Sequence, residues 1–323
     1  MRIPWAVLLL IAISAVGRPQ EPVSGAAPLR ANQRRHIIDV VVENVRRYYF
    51  DRALASRTAD ALRSHQAAGE YANKNGADFA ALLTNHLREA SGDIHLGVDY
   101  FSDPLPLHRP EPSPQDSARR RAQLEQINCT IARAGILPGN IGYLKFDFFP
   151  ELSICAKPFA AALQAIDGAD AVIFDLRDNR GGMPDTVSFV ASYLFDQPQY
   201  LFNPREAPTA HSWTQSPVAG SHLAHKRAYI LTSATTMSGA EEFSYNLKML
   251  RRATLIGERT AGATHSGVFH RIDAHFGMGI PEVKSLNPYG KQDWEGIGVE
   301  PDLKVSPSDA LETAKKIAMS NAY

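Results

Sequence analysis

From residue 31 the apolar positions fall three times at helical spacing. Ile37, Val41, Val45 and Tyr48 or Tyr49 form one stripe, Ala59 and Leu62 a weaker second, and Phe79, Leu82, Leu83 and Leu87 a third. This pattern predicts a small helical bundle over residues 31–91, with Gly92 suited to its C-cap. The period then shortens: Leu96, Val98 and Tyr100 alternate as in a strand, with His95 at the turn that opens it. A proline-rich stretch over 103–116 and a polar, arginine-rich helix over 117–126 follow, the latter read as a solvated face.

Beyond residue 128 strands and helices alternate. Ile141–Phe148 alternates as a strand and Lys157–Ile166 is helical; Ala171–Leu176 is a buried-type apolar run, followed by a glycine turn and a helix over about 185–194. Arg227–Thr232, a small-residue turn, a helix over 238–250 and a strand over 254–257 complete the series. Repeated βα units predict an α/β domain with a mostly parallel sheet and flanking helices, whose chemistry belongs at the carboxyl ends of the strands. Residues 197–226 interrupt the alternation as a hairpin or flap. The expected organisation is a signal peptide over 1–17, a linker over 18–30, the bundle over 31–91, a catalytic domain over 92–310 and a tail over 311–323.

Composition narrows the reading. With 323 residues, 44% of them hydrophobic, the chain can bury a large core. The 34 basic and 34 acidic side chains cancel, which removes the electrostatic footprint of a nucleic-acid binder. Arg2, the apolar run Trp5–Val16 and the small residues Ala15 and Gly17 resemble an export signal, so the mature chain is expected to be soluble, without an integral membrane span, and periplasmic or secreted. Cys129 and Cys155 are two free thiols or one disulfide, and sequence does not choose between them. Asn128-Cys129-Thr130 matches a glycosylation sequon. His222, His225, His265, His270 and His275 lack partners at a familiar metal spacing; no metal or organic cofactor is implied.

Ser238 falls where a strand ends and a helix begins, so the unpaired N–H of Gly239 faces whatever negative charge forms beside it. It is a helix cap, with Glu241 or Glu242 completing a capping box, or it is a nucleophile. In the second case Gly239 and one of Gly181 and Gly182 supply oxyanion donors; His95 is a packed or surface residue or a catalyst, and Asp93 orients its ring or caps the turn. Glu295 lies among glycines in Trp294–Asp302.

Three stretches together resemble the tail-specific, or C-terminal processing, family of serine peptidases: Asp175-Leu-Arg-Asp-Asn-Arg-Gly-Gly182, Thr232–Phe243, and Gly257–Gly262 with Glu295-Gly-Ile-Gly-Val-Glu-Pro-Asp302. The resemblance runs from about Gly92 to Val305, and it implies a crotonase/ClpP-like fold. The helices before it look like the amino-terminal bundle of the branch with interphotoreceptor retinoid-binding protein modules. The family's lysine branch carries a lysine where this chain has Ala263, and Lys248 lies about 15 Å of helical rise from Ser238. The span between His95 and Asn128 is also too short for the PDZ domain common in that branch. The other branch, which looks like the tricorn core protease, implies Ser238 as nucleophile, His95 as base and Glu295 as support, although Ile94 stands where tricorn has a serine. The implied function is hydrolysis of peptides or unfolded protein segments, rising in rate from about pH 5.5 to 7.5 as an imidazole loses its proton. The alternative implied by the same resemblance is a module binding retinoid-like or lipid-like ligands. Side-chain preference, need for a free carboxyl terminus and subunit number are not readable.

Overall fold

The computed structural model describes residues 27–107, 113–201, 203–204, 213–214, 223–263, 266–283, 285–286 and 294–320. The expected signal segment, most of the linker and most of the 197–226 excursion lie outside these residues. The chain divides into two compact units, one of residues up to 112 with 265–284, the other of 113–264 with 285 onward.

In the first unit, α1 (Ala31–Tyr48), α2 (Arg52–Ala67) and α3 (Gly76–Ser91) bury the three apolar stripes. Asp51 and Asn75 cap α2 and α3 by accepting the N–H groups of Leu54 and Asp78, and Gly92 ends α3 at φ 72°. The helices pack on a three-stranded sheet in which β9 (Phe276–Val283) lies between β1 (Gly97–Tyr100) and β8 (Ser266–Arg271), antiparallel to both. Met278 and Ile280 point from β9 into the same core as Leu83 and Leu87. Gly277, on the opposite face, leaves room for the Phe269 ring, which a Cβ there would meet at 2.1 Å.

The second unit opens with α4 (Pro114–Gln126), of which only Leu124 is buried. Its six-stranded sheet runs in the order β11 (Leu303–Lys304), β7 (Ala253–Gly257), β6 (Arg227–Thr232), β4 (Ala171–Asp175), β3 (Ile141–Phe146) and β2 (Ile131–Leu137). All neighbours are parallel except β2 with β3. The helices α5 (Leu152–Gln164), α6 (Pro184–Ser192) and α7 (Gly239–Met249) bury Phe159, Val187, Val190, Phe243 and Leu247 against one face. On the other face α8 (Pro307–Ser320) packs through Ala310, Ala314 and Ala318. Two short strands, β5 (Asn203–Pro204) and β10 (Ser285–Leu286), pair apart from the main sheet. Thus the α/β class with a mostly parallel sheet and flanking helices is what the molecule has. Cys129, in a turn before β2, and Cys155, on α5, are joined in a disulfide. No helix among the described residues is long and apolar enough to cross a membrane.

Candidate functional site

β6 ends at Thr232, and residues 233–238 turn the chain into α7 at the carboxyl edge of the sheet. Small hydroxyl residues make that turn because their side chains can reach neighbouring carbonyls. Ser233 and Thr235 donate to the carbonyl of Arg177, and Thr236 donates to that of Leu176, so the turn is pinned to the chain leaving β4. Ser238 comes last and is exposed, while Gly239 after it is buried. Its backbone lies at φ 53°, ψ −123°. A helix cap ordinarily sits in the extended region, and a non-glycine residue held at positive φ costs roughly 1–3 kcal/mol.

Glu241 holds this strained position. It is fully buried, accepts the Ser238 N–H at 2.9 Å, and takes further donors from Gly262 N–H at 2.6 Å, Ala263 N–H at 2.8 Å and the Thr260 hydroxyl at 2.5 Å. Burial pushes its carboxyl up from the ordinary range, and these four donors pull it back. The capping box of the sequence is therefore present, and its acid is in addition a hub for two loops.

The paired glycines lie against the serine. A Cβ on Gly181 would sit 2.6 Å from Ser238 Cβ and 2.7 Å from Gly239 N; one on Gly239 would sit 3.1 Å from Gly182 N. Only glycine permits this approach, and Gly181 and Gly182 also hold φ of 93° and 136°. Asn179 fixes their turn: its Nδ2 donates to the Phe146 carbonyl, its Oδ1 accepts the Gly181 N–H at 2.8 Å, and its carbonyl accepts the Met237 N–H. The Gly181 N–H is thereby used. Those of Gly182 and Gly239 have no protein acceptor among the described residues.

Glu295 is half-buried in the turn that begins at Trp294. The Gly296 N–H donates to the Gly262 carbonyl, the Thr260 N–H to the Val299 carbonyl, and the Val299 N–H to the Thr260 hydroxyl. Glu295 is thus tied to Ser238 through the loop that Glu241 holds. At the lysine-branch position, Ala263 is buried and its N–H belongs to Glu241. Lys248 is occupied by Asp302 and the Glu300 carbonyl.

In the first unit Asp93 and His95 come together. Asp93 is buried and accepts from the Tyr49 hydroxyl at 2.9 Å and the His95 N–H at 2.9 Å, and its Oδ1 lies 3.3 Å from His95 Nδ1. An acid at Nδ1 fixes the imidazole orientation. Ile94, between them, is exposed.

A second feature could be mistaken for the site. A cavity of about 630 Å³ opens at the amino ends of β6 and β7, lined by Arg227, Lys248, Arg251 and Arg252 among others. It lies at the opposite end of the strands from Ser238, and its Arg252 is spent on the Leu194 and Leu223 carbonyls.

The sequence pattern of peptidase family S41 matches residues 140–305, just over half of the chain and the part that holds Ser238, both glycine turns and Glu295. The chain belongs to peptidase family S41. Within this family it is 26% identical over 168 residues to a carboxyl-terminal-processing protease of Synechocystis, a match over 51% of this chain but only 38% of that relative's length. Two solved structures share the fold: the photosystem II D1 C-terminal processing protease, with TM-score 0.56, 16% identity and 91% and 99% of the two chains covered, and the tricorn protease, with TM-score 0.53, 14% identity and 89% and 36% covered.

Sequence reasoning singled out Ser238 and the glycines but not the work of Glu241 and Asn179. The capping-box spacing from Ser238 to Glu241 was the available signal for the first; for Asn179, buried beside two glycines, none stood out.

Proposed function

We propose that this S41 family member is an exported serine-type peptidase that hydrolyses peptides or unfolded protein segments. The observation that carries the proposal is an exposed serine at positive φ beside two backbone N–H groups that have no protein acceptor among the described residues. A structural cap needs none of this arrangement; a nucleophile that generates an oxyanion needs such N–H donors beside it.

In the proposed reaction Ser238 Oγ attacks the scissile carbonyl carbon and its proton passes to His95 Nε2. The carbonyl oxygen takes the electron pair and accepts hydrogen bonds from the N–H groups of Gly239 and Gly182. Gly182 serves rather than Gly181 because the latter already donates to Asn179. The tetrahedral intermediate then collapses, the C–N bond breaks, and His95 delivers its proton to the leaving amine. Water hydrolyses the acyl-serine by the same steps in reverse order. Asp93, placed at Nδ1, keeps the His95 tautomer and stabilises the imidazolium. Glu295 supports the machinery from the turn that is hydrogen-bonded to the loop carrying Thr260. No step calls for a metal or organic cofactor.

Export is supported by the apolar amino-terminal run and by the disulfide, a bond that persists in oxidising compartments. The mature chain is proposed to be periplasmic or secreted. The names of the relatives suggest action near carboxyl termini.

The test is to incubate wild type and Ser238→Ala with a mixed peptide library and read the products by mass spectrometry. Wild type should cleave, with the cut positions showing any preference for carboxyl termini, and Ser238→Ala should lose at least about a thousandfold in rate. Undiminished cleavage by Ser238→Ala would refute the proposal.

A further inference from the structure

Away from the residues of the proposed reaction, α2 and α3 of the helical unit bring two histidines and a glutamate together. His65 stands in the last turn of α2, Glu70 in the turn that follows, and His86 near the end of α3. Glu70 Oε2 lies 3.0 Å from His65 Nδ1 and 3.6 Å from His86 Nε2, and one possible ligand atom from each of the three residues lies within 4.8 Å of the others. Burial grades across the cluster: the His86 side chain is 8% exposed, His65 31% and Glu70 44%. His86 is held from behind, its Nδ1 being 2.9 Å from the Tyr71 hydroxyl.

We propose that His65 Nδ1, Glu70 Oε2 and His86 Nε2 form a binding site for a zinc-type divalent transition-metal ion, with water completing the coordination. Neighbouring ligand atoms of a tetrahedral zinc centre, each about 2.0–2.2 Å from the ion, stand roughly 3.3 Å apart. The 3.0 and 3.6 Å separations to the carboxylate bracket that edge. Two imidazoles and one carboxylate suit this ion better than calcium or magnesium, which take mostly oxygen ligands. The far nitrogen of a ligating histidine is ordinarily held by an outer hydrogen-bond partner that fixes ring orientation, and here the Tyr71 hydroxyl occupies that place.

The two rings are stacked, with centroids 3.7 Å apart and planes 13° from parallel. An ion must lie near the plane of each ring it binds, so the stack has to fan open on binding. His86 is fixed by burial and by Tyr71, which makes the more exposed His65 the ring that turns. Bound metal would tie the end of α2 to α3 and stabilise the helical unit.

The test uses the full chain, stripped with a chelator and dialysed against zinc, with bound metal counted and thermal unfolding followed. Wild type should hold one zinc at this site and unfold at higher temperature with it. Glu70→Gln and His65→Ala, both at the surface and so compatible with folding, should each weaken binding by more than the roughly 10–100-fold that loss of an outer partner costs; Tyr71→Phe should fall within that range. His95→Ala, altered in a different histidine–carboxylate pair, should keep the zinc. Failure of wild type to bind zinc, full retention by Glu70→Gln, or loss in His95→Ala would overturn the proposal.

Discussion

Ser238 carries a backbone conformation that capping a helix does not require, and its cost is offset by the Glu241 carboxylate, which takes the Ser238 N–H together with three donors from the following loop. The neighbouring acid behaves differently. Glu242 has no such set of donors among the described residues, and burial alone pushes its carboxyl up to about 8. Its folded pKa therefore lies above its unfolded one. Between about pH 4.5 and 8 the folded chain holds a proton that the unfolded chain releases, so stability falls as pH rises through this window. Part of the side chain reaches solvent, which keeps the loss below the ~1.4 kcal/mol that each pH step of one would remove for a wholly desolvated carboxyl. Glu242→Gln should accordingly raise the melting temperature more at pH 8.5 than at pH 5; an equal change at both would contradict it. At this scale the sequence was informative where one residue type does what no other can, as with Gly181 and Gly182. It was silent where a common polar residue gains its role from burial, as with Asn179.

Among the elements, the long apolar runs were the legible ones. β4 and β6 are buried on both faces and read as continuous hydrophobic segments, and α7 shows its stripe in Phe243 and Leu247. Two elements escaped for opposite reasons. α8 presents alanines at 310, 314 and 318 to the sheet; such small side chains allow close packing but give little hydrophobic signal, and most of the stretch read as a tail lies in this helix. β8 and β9 were obscured by Gly277, Gly279 and Pro281, whose places are set by the Phe269 ring and by pairing with β1, neither visible from local propensity.

For the molecule as a whole, the chain leaves its first unit at 112 and returns to it at 265–284 before finishing in the second. The expected organisation divides the folded chain at 91 and again at 310, and nothing in the sequence of 265–284 states which sheet that segment joins. The disulfide acts within the second unit only. Cys129 and Cys155 are 26 residues apart in sequence, which by loop-closure entropy amounts to about 3.5 kcal/mol of stabilisation. Reduction should lower the melting temperature by several degrees, and the Cys129→Ala, Cys155→Ala double variant should match the reduced protein and be insensitive to reductant. A melting temperature unchanged by reduction would contradict this assignment.

The most direct measurement of the central claim is labelling with a fluorophosphonate, which forms a covalent adduct only with an activated serine. The folded wild-type chain should gain one adduct, mapped by peptide mass spectrometry to Ser238, and His95→Ala should slow the labelling by about a hundredfold or more. No adduct on folded wild type, an adduct on another serine, or an undiminished rate in His95→Ala would contradict the account.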